Sequence, residues 1–128
     1  MKDIYLNFYS AGGVEDYYIP VPSRGVVKSA EYISNAKMVA TGKITLSRNT
    51  TAVNTATVPT GDTAAGTVLK GVADTTNGQL VFDPDSSTVA NQKIKMSLDT
   101  TLLGGVANLL VHIVYDDSAY VAQAPSEA

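Results

Sequence analysis

The chain has no cysteine and no tryptophan, a single histidine, and charged side chains at only 16% of its 128 positions. The missing cysteines exclude disulfides, a thiol nucleophile and a thiolate-ligated metal. One histidine cannot make a histidine pair, so neither a two-histidine metal site nor a two-histidine relay can form within one copy. Nine lysines and arginines stand singly among twelve acids, for a net charge of −3. A nucleic-acid partner would need a basic face, so none is expected. No apolar run approaches the ~18 residues of a membrane-spanning helix, and no membrane partner is expected either. The start, Met1-Lys2-Asp3-Ile4-Tyr5-Leu6-Asn7, lacks the apolar centre and small-residue cleavage site of a signal peptide. Synthesis in the cytoplasm is the expectation.

A catalytic set is also missing. Serine and threonine are plentiful, yet there is no G-x-S-x-G elbow and no second histidine to serve one. Gly12-Gly13 and Gly104-Gly105 are too short to cradle phosphate. Asp83-Pro84-Asp85 and Asp116-Asp117 are paired carboxylates, the residue type of hydrolytic acid–base work or calcium binding. Neither pair has the oxygen-rich spacing of a calcium loop, and both read as strand terminators. Asn49-Thr50-Thr51 fits the glycosylation sequon, which needs a secretory route. The expectation is a non-enzyme with no catalytic residue, cofactor or metal.

What the chain does contain is an ordinary 45% of hydrophobic residues, with Thr, Ser, Asn and Ala standing where charge is usual. This is the surface of an all-β protein with neutral faces. The length is that of one domain, able to bury about two-thirds of its unfolded surface. The longest apolar run is Val106 to Tyr115, opened by Gly104-Gly105 and closed by Asp116-Asp117. Its β-branched content and bounds predict a strand. Leu109, Val111, Ile113 and Tyr115 fall on one face, and Leu110, His112 and Val114 on the other. Apolar on both faces, this strand is expected mid-sheet, with a core on one side and a contact surface on the other.

Other strands follow by the same period. Ile4, Leu6 and Phe8 alternate with Tyr5, Asn7 and Tyr9. Tyr17 to Pro22 carries two prolines, which cannot donate to a ladder, so it belongs at an edge or a bend. Val26 to Ile33 is a strand of unclear register. Lys43 to Ser47 and Thr51 to Val58 make a hairpin around Arg48-Asn49-Thr50. Thr67 to Val72 and Gln79 to Phe82 read as short strands, and Lys93 to Leu98 sets Ile94, Met96 and Leu98 inward. Eight or nine short strands at turn intervals of about ten residues predict an all-β fold, an antiparallel β-sandwich or a barrel. The expected layout is an N-terminal strand or arm over residues 1–16, a sandwich over 17–116 and a flexible tail over 117–128. Tyr5, Tyr9, Tyr17 and Tyr18 crowd the N-terminal quarter, where exposed tyrosines would offer rigid contact area with a polar tip.

The order Tyr17-Tyr18-Ile19-Pro20-Val21-Pro22, then Gly25 before Val26-Val27-Lys28, resembles the opening of small virion proteins of tailed bacteriophages. Thr63-Ala64-Ala65-Gly66 is similar to their small-residue loop. Thr88 to Met96 is similar to their strand entry, with Gln92-Lys93 in place of the usual Gly-Asp, and Leu109 to Val114 resembles their closing strand. The likeness runs from about residue 17 to 115 and points to head decoration, or cement, proteins. It implies a jelly-roll-like sandwich, a homotrimer, and the major capsid protein as partner on the outer surface of the virion. The alternative is a carbohydrate- or receptor-binding module of a phage fibre or tail. The candidate contact residues are Tyr5, Tyr9, Tyr17, Tyr18, Leu110, His112 and Val114.

Overall fold

The computed structural model describes residues 3–10, 16–35, 37–38, 41–59, 63–98 and 109–117. Nine strands are present among them: β1 (Asp3–Ser10), β2 (Asp16–Pro20), β3 (Val26–Ser34), β4 (Gly42–Arg48), β5 (Thr51–Val58), β6 (Val68–Lys70), β7 (Val72–Ala73), β8 (Lys93–Leu98) and β9 (Leu109–Asp116). They form a four-stranded sheet, β1-β9-β3-β6, and a five-stranded sheet, β2-β8-β4-β5-β7. All seven pairings among these strands are antiparallel, and four of them join β1 with β9, β2 with β8, β3 with β6, and β4 with β5. This nested pairing of first with last strands is jelly-roll connectivity, with the two-residue β7 as an added edge.

The period-2 segments point where their side chains demand. Leu109, Val111, Ile113 and Tyr115 of β9 are all fully buried, as are Ile94 and Met96 of β8 and Ile44 and Leu46 of β4. Each such side chain contributes about 1.5–3 kcal/mol relative to exposure, and together they form one core between the sheets. β9 does lie mid-sheet, between β1 and β3. The N-terminal strand pairs with β9 of its own chain along its whole length, Asp3 against Asp116 through Ser10 against Leu109. Val106 to Asn108, and the tail from residue 118 on, lie outside the described residues.

Two short-strand expectations need correction. Thr67 to Val72 is not one strand but two, because Gly71 carries the chain from the end of β6 in one sheet to β7 in the other. The Gly71 N–H donates to Ala30 O at 2.9 Å, and a Cβ there would collide with the Asn54 side chain. Gln79 to Phe82 is a turn-rich connection in which only Phe82 makes a bridge. Its N–H and C=O exchange hydrogen bonds with Gly25 at 2.7 and 2.9 Å. The apolar side chains that mimicked a strand there are anchors: Phe82 is fully buried, and Val81 O accepts a 2.9 Å hydrogen bond from the buried Arg48 Nη1.

Gly25 is fixed by close approach rather than by torsion. A Cβ on it would strike the Asp116 carbonyl oxygen and sit 2.9 Å from Tyr115 Cε2. Tyr115 in turn donates its hydroxyl to Ser23 O at 2.7 Å and stands 3.2 Å from Phe82 O. Gly25, Phe82 and Tyr115 thus tie one end of the sandwich together, far apart in sequence but adjacent in space.

Candidate functional site

The outward side chains of the four-stranded sheet are set by register, and they form rows across four strands. One row is wholly apolar: Tyr9 of β1 lies opposite Leu110 of β9, Leu110 opposite Ile33 of β3, and Ile33 opposite Val68 of β6. Tyr9 and Val68, at its ends, are 71% and 46% exposed, while Leu110 and Ile33 between them are half-buried. Cross-strand partners on one face stand about 4.5–5.5 Å apart, so the four side chains make a continuous stripe. The next row is polar: Asn7, His112, Glu31 and Lys70. Beyond it come Tyr5 and Val114, also directly opposed.

His112 is held from two sides within its own chain. Its Nδ1 lies 2.5 Å from Asn7 Oδ1, and the Tyr5 ring stacks on the imidazole with centroids 5.6 Å apart at 18°. The polar row is therefore packed rather than loose, and it walls a hollow of about 300 Å³ with Ile33 and Leu110 on its other side. At the far end of the face, Lys28 Nζ pairs with Asp3 Oδ2 at 3.0 Å. The Asp3 hydrogen bond and charge push the Lys28 ammonium above the ordinary lysine value, with a small opposing effect of desolvation.

The outer face of the five-stranded sheet has the opposite character. Lys43 is paired with Thr57, Thr45 with Thr55, and Thr45 with Ser97, and Lys93 and Lys95 project from β8. No apolar row crosses it among the described residues. At its β2 edge, Tyr18 is 57% exposed and Lys93 Nζ stands 5.8 Å from the centre of its ring. Tyr18, Lys93, Lys95 and Asn49 bound a polar hollow of about 230 Å³.

No protein-family model, curated protein or solved structure matches the chain.

The seven residues singled out by sequence part company here. Tyr5, Tyr9, Leu110, His112 and Val114 do share one face, brought together by the β1–β9 pairing. Tyr17 is half-buried and packs against the core, and Tyr18 belongs to the opposite sheet. Sequence reasoning missed Ile33 and Val68, which complete the apolar stripe. The register shift between Val27 and Ser29 conceals Ile33, since it turns Val27 inward and leaves Ile33 facing out. The paired acids serve local structure: Asp83 Oδ1 accepts the Asp85 N–H at 2.9 Å, and Asp116 lies in the β9 ladder. Among the described residues, no group of three or more His, Cys, Asp or Glu is placed to hold a metal ion.

Proposed function

We propose that the chain is a non-enzymatic decoration protein of a tailed-phage head, docking on the major capsid protein through the outer face of its four-stranded sheet. The observation that carries this is the contrast between the two outer faces. One bears the stripe Tyr9–Leu110–Ile33–Val68 beside the Tyr5–His112 stack, and the other bears threonines and lysines with only Tyr18 and Val72 exposed singly at its two edges. A sandwich with one apolar face and one polar face suits a plate laid on another protein, with its threonine–lysine side toward water. Aromatic anchors beside aliphatic ones are the chemistry of interface hot spots. Bridging several coat subunits at once would let modest contacts add as avidity without a deep pocket. The motif resemblance over residues 17–115 supplies the partner; the sheet faces supply the orientation.

Co-sedimentation with expanded heads and with unexpanded procapsids of the encoding phage tests this. Saturable binding to expanded heads is expected. Binding to neither form overturns the reading.

A second reading has one observation behind it. The Tyr18–Lys93–Lys95–Asn49 hollow pairs an exposed ring with two amines, the furniture of an acidic-sugar site on a fibre or tail module. Against it, the Lys93 amine already covers the ring. Glycan-array binding that disappears in Tyr18→Ala would favour this reading over decoration.

A further inference from the structure

A jelly roll has two sheet edges on each side, and this chain treats its edges unequally. β6 has three residues and β7 has two, and short edges are a standard protection against strand addition. β2 has five, with Pro20 at its end and Asp16 at its start. That aspartate is engaged by Ser97 Oγ at 2.8 Å and Lys95 Nζ at 3.7 Å. β1 is different. It runs for eight residues, about 27 Å, with no proline. Its only charge, Asp3, sits at the first position and is neutralised by Lys28. One edge of β1 pairs with β9; no strand pairs with the other among the described residues.

The space beside that edge is apolar. β1 and β2 are edges of different sheets on the same side of the sandwich, and a groove of about 540 Å³ opens between them. Leu6 and Phe8 line it from one sheet and Tyr17 and Ile19 from the other; all but Ile19 remain half-exposed at the margin of the core. A ladder edge that no described strand pairs, beside half-exposed core side chains, is a place for one more strand.

We infer that a second copy of this chain occupies it, by antiparallel pairing of β1 with β1 about a two-fold axis through Asn7, perpendicular to the sheet. Three features favour a like strand. The edge carries no unneutralised charge, so two copies do not repel. The sequence is self-complementary in this register: Tyr5 falls opposite the second copy's Tyr9, Leu6 opposite its Phe8, and Asn7 opposite its Asn7. An amide both donates and accepts, so two copies of Asn7 satisfy each other across the axis while their oxygens stay near His112. The register centred on Leu6 would instead set the Asp3 carboxylate against a tyrosine ring.

The axis keeps both outer faces on one side. Two four-stranded sheets become one of eight strands, and the polar row runs unbroken from Lys70 of one copy to Lys70 of the other. Under the proposed docking this doubles the footprint on the coat, although the pairing itself rests only on the edge. The eight residues of β1 and five of β2 fall short of the 20–30 per side of a standard interface. The expected dissociation constant is therefore micromolar, about 1–100 µM.

Sedimentation velocity on the full chain across that concentration range should move from 13.4 kDa to twice that mass. A chain that stays monomeric, or that forms the trimer implied by the family resemblance, overturns the pairing. Because the chain has no cysteine, single-cysteine variants give a second readout. Asn7→Cys should form a disulfide-linked dimer on mild oxidation, as two Cα atoms directly opposite lie within bridging range. Lys70→Cys and Val72→Cys, on the other edges, should not. Equal yields from the three variants, or none from Asn7→Cys, would refute it. Neither readout involves capsids, so a monomer that binds heads loses only the pairing, and a dimer that does not loses only the docking.

Discussion

The double substitution Ile33→Glu with Val68→Lys should lower binding to expanded heads at least about 100-fold while the fold survives. These two side chains are direct cross-strand partners in the middle and at the β6 end of the apolar stripe. Replacing both by charged groups removes two apolar contacts and forces two charges to be desolvated on docking. Hot-spot truncations cost about 2 kcal/mol or more each, and every 1.4 kcal/mol is a factor of ten in affinity. The choice of signs protects the folded state. Opposite charges directly across a strand pair attract, net charge stays at −3, and Val68 is already 46% exposed. The matched control is Thr45→Glu with Thr55→Lys, the same chemistry at partners on the other outer face. It should leave binding within about two-fold. If the first variant binds normally, or the control loses binding, the docking face has been assigned to the wrong sheet.

A second large effect is expected at alkaline pH. Tyr32 and Tyr115 have fully buried side chains. Burial pushes both phenols far above the usual tyrosine value; at Tyr115 the Asp83 and Asp117 charges add to this, against a weaker opposing hydrogen bond from the Gly25 backbone. Both groups stay protonated in the folded chain where the unfolded chain would lose its protons. The stability they carry is thus complete below about pH 10 and is lost as pH rises above it. The slope is about 1.4 kcal/mol per pH unit for each tyrosine, so near pH 11.5 the loss reaches ~4 kcal/mol. That is a large part of the 5–15 kcal/mol a domain has in total.

Urea melts across this range should show the decline. The tyrosinate absorbance of two of the seven tyrosines should follow unfolding rather than titrate smoothly with the rest. Tyr32→Phe separates the two contributions. The Tyr32 hydroxyl is buried without a hydrogen-bond partner among the described residues. Its removal should leave neutral-pH stability unchanged or higher and halve the alkaline slope. Tyr115→Phe should halve the slope as well, but at the cost of about 1 kcal/mol at neutral pH, because its hydroxyl is bonded to Ser23 O. A slope untouched by both variants would show that other groups govern alkaline unfolding.

The fold was legible because its core is built on period-2 segments. Alternation in β4, β8 and β9 named the inward residues, and the prolines after Tyr18 left β2 an edge or a bend, of which it is the edge. What alternation cannot carry is the order of strands. The face that unites Tyr9, Leu110, Ile33 and Val68 draws on four strands whose sheet order, β1-β9-β3-β6, skips back and forth along the sequence. The strongest half of that face was readable from the second apolar side of β9. Ile33 was hidden by the irregularity between Val27 and Ser29, which inverts the parity of β3, and Val68 by the sheet order that sets β6 beside β3. The four clustered tyrosines read as one surface, yet Tyr17 and Tyr18 belong to the other sheet from Tyr5 and Tyr9, and only Tyr5 of that pair borders the groove between them. Gly71 and Phe82 misled for a different reason. Short apolar pieces look alike whether they continue a strand, cross between sheets or plug an end.

The docking claim meets its most direct test in a cryo-EM reconstruction of expanded heads saturated with the chain. The account predicts density with the four-stranded sheet against the coat, Tyr9, Leu110, Ile33 and Val68 buried there, and Lys43, Lys93 and Lys95 turned to solvent. The reverse orientation, or heads with no added density, would contradict it.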